Sequence, residues 1–191
     1  GSSLVGSEMC IRDRNNVANV LLDINDLTGR TITANGGTYK VKDTASELAG
    51  ADASLLSGQT IVINDANTAA TTTELNTIQT SMASNGGNGT VTYTKLTGSA
   101  TSLAANTGDI VANVAVTIDD TNNTAATVAE LNDIQTAVAG AAGASLTYTK
   151  LRDTSANIRA NTANGAITDV EGIAVTVTTT SDVSQFSAIL T

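Results

Sequence analysis

The chain has no proline, no histidine and no tryptophan, and one cysteine in 191 residues. Without histidine there is no Ser-His-Asp or Cys-His arrangement, and most zinc and haem sites lose their usual ligands. No glycine-rich loop ends in Gly-Lys-Ser/Thr, so the usual phosphate cradle is missing too. Cations are scarce: nine Lys and Arg face eighteen Asp and Glu, for a net charge of −9. Such a balance argues against nucleic acid and anionic membrane as partners. No apolar run approaches the ~20 residues that a membrane-spanning helix needs. Aromatic residues make up 2% of the chain, too few to fill one thick globular core. A thin core repeated many times needs no large residues, and repetition is what the sequence contains.

Tyr39 in TYKVKD, Tyr93 in TYTKLTG and Tyr148 in TYTKLRD follow one another at a nearly constant interval, about 55 positions. Ile63 in IVIND and Ile118 in VTIDD stand at the same interval, and TELNTIQT recurs as AELNDIQT one position beyond it, carrying Leu75 to Leu131. The organisation read from this period is a tail of one copy over 15–37, a copy over 38–90, a second over 91–145 and a third, truncated, over 146–191. Residues 4–14, LVGSEMCIRDR, resemble a translated sequencing adapter, and Gly1 to Ser3 a cloning remnant. Residues 1–14 are therefore set apart from the fold. That removes Cys10 from the design, and with it disulfides and thiolate-bound metals. It also leads us to expect a fragment of a longer protein.

Each copy reads as strand, helix, strand, helix. TYKVKD, VTYTKL and LTYTKL are β-rich, and QTIVIND, NVAVTIDD and GIAVTVTT alternate large apolar residues with small or polar ones. Two helices follow from apolar spacing: DTASELAGADASLL, capped by Asp43 or Thr44, and the stretch with Val128, Leu131, Ile134 and Val138 on one face, opened by a Thr127–Glu130 capping box. NNVANVLLDINDL over 15–27 reads as a helix by the same criterion. The third copy repeats the pattern, with Ile158 in its first helix and Val183, Phe186 and Ile189 in its second. Units of this size, each giving one strand and one helix, predict an α/β repeat solenoid of stacked coils with a parallel sheet. The alternative is an all-β parallel β-helix in which the Ala-rich stretches are loops.

Several motifs invite a chemical reading. NGGNGTVTYT at 85–94 follows the glycine pattern of calcium-binding nonapeptides, but Val91 stands where the carboxylate ligand belongs. Threonine pairs such as Thr92/Thr94 and Thr147/Thr149 do not extend into an unbroken ladder, because Lys40 and Val62 interrupt them. Asp43, Asp65, Asp119, Asp120, Asp153 and Asp182 cluster where a strand hands over to a helix. They read either as helix caps, at about 0.5–2 kcal/mol each, or as a row of Ca²⁺ ligands. Tyr39, Tyr93 and Tyr148 read as core or edge packing rather than as a sugar-stacking ladder. No residue set is catalytic on this reading, and no cofactor is expected other than Ca²⁺ at those aspartates.

DTASELA, VTIDD and TVAELNDI resemble the tandem arrays of very large secreted or cell-surface proteins of bacteria, cyanobacteria among them. The resemblance covers 38–191 and departs at TGSATSLA, where the Asp-Thr-Ala pattern is lost. It implies a non-enzymatic, extracellular stalk or adhesin-like role on a bacterial surface. A spacer is one expectation and a Ca²⁺-, glycan- or surface-binding solenoid the other. Stacked coils without caps also predict self-association through their ends or strand edges.

Overall fold

The computed structural model describes residues 21–27, 39–120, 125–164 and 173–179. The chain forms two compact units that divide after Tyr93. The first contains β1 (Leu21–Asp23), α1 (Ile24–Leu27), β2 (Lys40–Asp43), α2 (Ala45–Ala49), α3 (Ala53–Leu56) and β3 (Thr60–Ile63). It continues with β4 (Ala70–Thr71), α4 (Thr72–Ala83) and β5 (Thr90–Thr92). Strands β1, β2, β3 and β5 form one parallel sheet in that order. Its ladder places Leu22 opposite Val41, Val41 opposite Ile61, and Ile61 opposite Val91. Leu22, Val41 and Ile61 are buried, and the residues between them point outward. This is the period-2 alternation of a sheet with one covered face.

The second unit holds β6 (Lys95–Gly98), α5 (Ala100–Ala105), β7 (Ala115–Ile118), α6 (Val128–Gly140), β8 (Ser145–Thr147), β9 (Lys150–Asp153), α7 (Ser155–Asn164) and β10 (Ala174–Val177). β6, β7 and β8 are parallel neighbours, with Leu96, Val116 and Leu146 in register. β9 pairs in parallel with β10, and Ala126 bridges to Leu151. Parallel pairing of sequential strands requires a crossover, and the helices provide it. The fold class is therefore α/β, and 12- and 13-residue helices stand where the all-β alternative needs loops.

Helix starts follow the caps. Thr71 and Thr127 each accept the amide of a glutamate three residues on, and Glu74 and Glu130 return a bond to the cap amide. Leu75, Ile78, Leu131 and Ile134 are fully buried beneath these helices, each contributing about 1.5–3 kcal/mol by leaving water. α2 and α3 pack against α4, and α5 packs against α6.

Three expectations need correction. Of the helix expected at 15–27, the described residues 21–27 give a strand and one helical turn, α1, because Leu21–Asp23 joins the sheet and Leu22 enters the core beside Val41; residues 15–20 lie outside the described residues. DTASELAGADASLL is two helices, since Asp52 recaps the chain on Ser54 N–H (2.8 Å) and turns Leu56 inward. VTYTKL and LTYTKL are each two strands, interrupted at Tyr93–Thr94 and Tyr148–Thr149, because β5 pairs with β3 and β6 with β7, while β8 pairs with β7 and β9 with Ala126 and β10. The adapter-like segment, the connector at 30–37 and the helix expected at 183–189 lie outside the described residues.

Candidate functional site: the aspartates at the strand ends

Each described aspartate singled out in the sequence ends a strand or follows one, so the parallel ladder decides its surroundings. Asp153 is the last residue of β9. Its Oδ1 accepts Thr154 N–H (2.7 Å) and Asn157 Nδ2 (2.8 Å), which fixes the start of α7. Its Oδ2 accepts Val128 N–H at 3.0 Å, an amide in the first turn of α6. Helix N-termini leave such amides unpaired, and here an aspartate 25 residues away satisfies one. Burial raises the Asp153 pKa, but the bonds from Thr154, Asn157 and Val128 outweigh it and leave the carboxyl below its ordinary value.

Asp120 serves the strand interruption. One oxygen, Oδ2, accepts Thr149 N–H (2.7 Å), Thr149 Oγ1 (2.8 Å) and Lys150 N–H (3.0 Å). Lys150 Nζ donates to the Asp120 carbonyl at 2.9 Å. The residues that leave the ladder between β8 and β9 are thus held by a buried carboxylate, whose Oδ1 has no hydrogen-bond partner. Asp43, at the end of β2, is buried and accepts Thr44 N–H at 2.8 Å, while its Oδ2 is also unpartnered. Asp65, one sequence period before Asp120, is buried as well, and Asp119 points to solvent. Asp182 lies outside the described residues.

The structure therefore spreads these aspartates rather than gathering them. Asp119 and Asp120 alternate faces, as neighbours on a strand do, and Asp120 and Asp153 bind different amides. No group of three metal-ligating side chains comes together among the described residues.

A shallow cleft of about 430 Å³ brings Glu130 and Asp153 together with Thr101, Thr127, Arg152 and Thr178. Glu130 Oε1 accepts Thr101 Oγ1 (2.6 Å), and Oε2 accepts the Thr127 amide (2.9 Å) and hydroxyl (2.8 Å). Burial and the nearby Asp153 charge raise the Glu130 pKa; the Thr101 and Thr127 bonds prevail and hold it low. Both carboxyls of the cleft therefore lie below their ordinary values. The cleft's carboxylates are committed to caps and to a neighbouring helix.

Some contributors escaped the sequence reading. The Thr71–Glu74 box was legible in TTTELN by the same spacing as Thr127–Glu130. Gln59, whose Oε1 accepts Tyr39 N–H (3.0 Å), carried no signal, since its partner is 20 residues away. Of the tyrosines, Tyr39 and Tyr93 are buried. Tyr39 donates its hydroxyl to Leu55 O at 2.9 Å, and burial raises its pKa.

Searches against protein families, curated proteins and solved structures return no match for this chain. Among the described residues no helix is long and apolar enough to cross a membrane.

Proposed function

We propose that the chain is a non-catalytic structural or adhesive spacer, a segment of a large extracellular tandem-repeat protein of a bacterial surface, built as a solenoid of stacked strand–helix coils. The observation that carries this reading is the use made of Asp120 and Asp153. Each spends its carboxylate on backbone amides 25–30 residues away, in the adjoining strand–helix segment. Carboxylates so engaged tie successive segments together, which is what a stack under tension requires and a substrate site does not. The same parallel pairing occurs in both units, offset by one sequence period: Lys40–Asp43 on Thr60–Ile63, and Lys95–Gly98 on Ala115–Ile118.

The test is length. Each copy adds two strands to a ladder spaced ~4.8 Å, so every inserted copy of 94–148 should lengthen the particle by about 10 Å at constant cross-section in small-angle scattering. Growth in cross-section instead of length would remove the stack. Self-association through ends or edges belongs to the same reading, and sedimentation should show oligomers that increase with concentration.

The runner-up is a solenoid that binds Ca²⁺, a glycan or a surface. One observation favours Ca²⁺: Asp43 Oδ2 and Asp120 Oδ1 are buried without a partner. Circular dichroism melts in EDTA and in millimolar Ca²⁺ separate the two. Coincident melts support the metal-independent spacer, and a Ca²⁺-dependent rise would make the aspartates ligands.

A further inference from the structure

Cations are rare in this chain, and the fold does not scatter them. Of nine Lys and Arg, five lie on outward strand positions: Lys40 and Lys42 on β2, Lys95 on β6, and Lys150 and Arg152 on β9. Lys40, Lys95 and Lys150 recur at the sequence period, and each opens its ladder, opposite Thr60, Ala115 and Ala174. The acidity lies elsewhere. Asp43, Asp65, Asp109 and Asp120 are buried, while Glu47, Asp52 and Asp133 are exposed on or beside helices. On the outward strand side the described acids are Asp23, beside Lys42, and Asp119, one residue past β7. The outward strand positions of each unit are therefore positive on balance, in a chain whose net charge is −9.

Between the cations the face is small and hydroxylated. Thr97, Thr117 and Thr147 stand in one rank, and Lys95, Ala115 and Ser145 in the next. The first unit carries Lys40–Thr60–Thr90 and Lys42–Val62–Thr92. Thr97 Oγ1 donates to Thr117 O (3.1 Å) and Thr92 Oγ1 to Ile61 O (3.2 Å). A hydroxyl whose proton is used in this way still presents lone pairs outward, and so accepts from a ligand hydroxyl.

We propose that the outward strand positions of each unit bind an acidic polysaccharide, with Lys40 and Lys42 in the first unit and Arg152 in the second pairing to its carboxylates or sulfates, and the threonine ranks accepting from its hydroxyls. Charge complementarity selects an anionic partner, and the hydroxyl ranks select one rich in hydroxyls. No aromatic residue occupies an outward position of the described strands, so bases would find nothing to stack on, and a few dispersed cations suit a sparsely charged polymer better than a duplex. This deepens the adhesive part of the function proposed above and rests on it for the role of binding, though not for the stacking of coils.

The test is affinity electrophoresis of the whole chain through polygalacturonate, dextran sulfate and neutral dextran, at about 50 mM and about 200 mM salt. Retardation by the acidic polymers alone, weakened by salt, is expected. K40Q/K42Q/R152Q should bind at least about tenfold more weakly, whereas Arg159→Gln on α7 should change binding less than about twofold. Arg152→Gln alone, at an exposed position, should cost about two- to threefold and serves if the triple variant fails to melt cooperatively. No retardation of wild type, equal losses from Arg159→Gln and the face variants, or tighter binding to duplex DNA would each overturn the proposal. Lost binding with unchanged scattering length would leave the spacer in place without this surface.

Discussion

Replacing Asp120 by alanine strands the two amides at the β8–β9 interruption. Thr149 N–H and Lys150 N–H both donate to Asp120 Oδ2 and sit where the chain has left one ladder for the next. Two unsatisfied amides cost about 1–3 kcal/mol each. Against this, Asp120→Ala removes a buried carboxylate whose Oδ1 has no partner, returning about 1–3 kcal/mol of desolvation. The net expectation is a loss of about 1–3 kcal/mol. Asp120→Asn keeps an acceptor with neutral bonds about half as strong, and should lose about 1 kcal/mol. Asp119→Ala, one residue away and facing solvent, should lose less than about 1 kcal/mol. Hydrogen exchange read on a peptide covering residues 145–153 localises the effect, with protection in Asp120→Ala falling roughly 5- to 150-fold. Unchanged protection there, or an equal fall in Asp119→Ala, would refute the assignment of Asp120 to these amides.

Three further outcomes follow from the geometry. Thr127→Ala removes the hydroxyl that both caps α6 and donates to Glu130, and should lower stability by about 1 kcal/mol in urea titration, with Thr127→Ser recovering most of it. Gly87→Ala drives a Cβ into Gly58 N and Met82 O, both backbone atoms, and should cost more than about 2 kcal/mol; Gly108→Ala meets open space and should stay within about 0.5 kcal/mol. Asp153 and Glu130 have folded pKa values below their ordinary ones, so the stability they contribute is complete above the unfolded values and is lost as pH falls through the folded ones. Thermal midpoints should be flat from about pH 5 upward and fall below about pH 4.5, and a loss setting in near neutrality would contradict the sign.

Much of the architecture was legible because it rests on local rules. The alternation in NVAVTIDD buries Val114, Val116 and Ile118, and the helical spacing of Leu131 and Ile134 buries both beneath α6. Thr127–Glu130 is a contact between residues three apart, so its spacing announces it. The absence of histidine and the scarcity of cations are equally facts of composition and need no fold to be read.

Long-range pairing decided the rest. Whether LLD would extend or coil was settled by Val41, against which Leu22 packs in register. That LTYTKL would break at Tyr148–Thr149 depends on two ladders offset from each other, a relation among β7, Ala126 and β10 that no window of sequence contains. The aspartates show the same division. Their types and spacing suit a helix cap and a cation ligand alike, and only the fold placed Val128 N–H against Asp153 and Thr149 N–H against Asp120. Charge divides in the same way: composition set the net −9, while the two-residue period of the strands put five cations at outward positions and left Asp43 and Asp153 at inward ones.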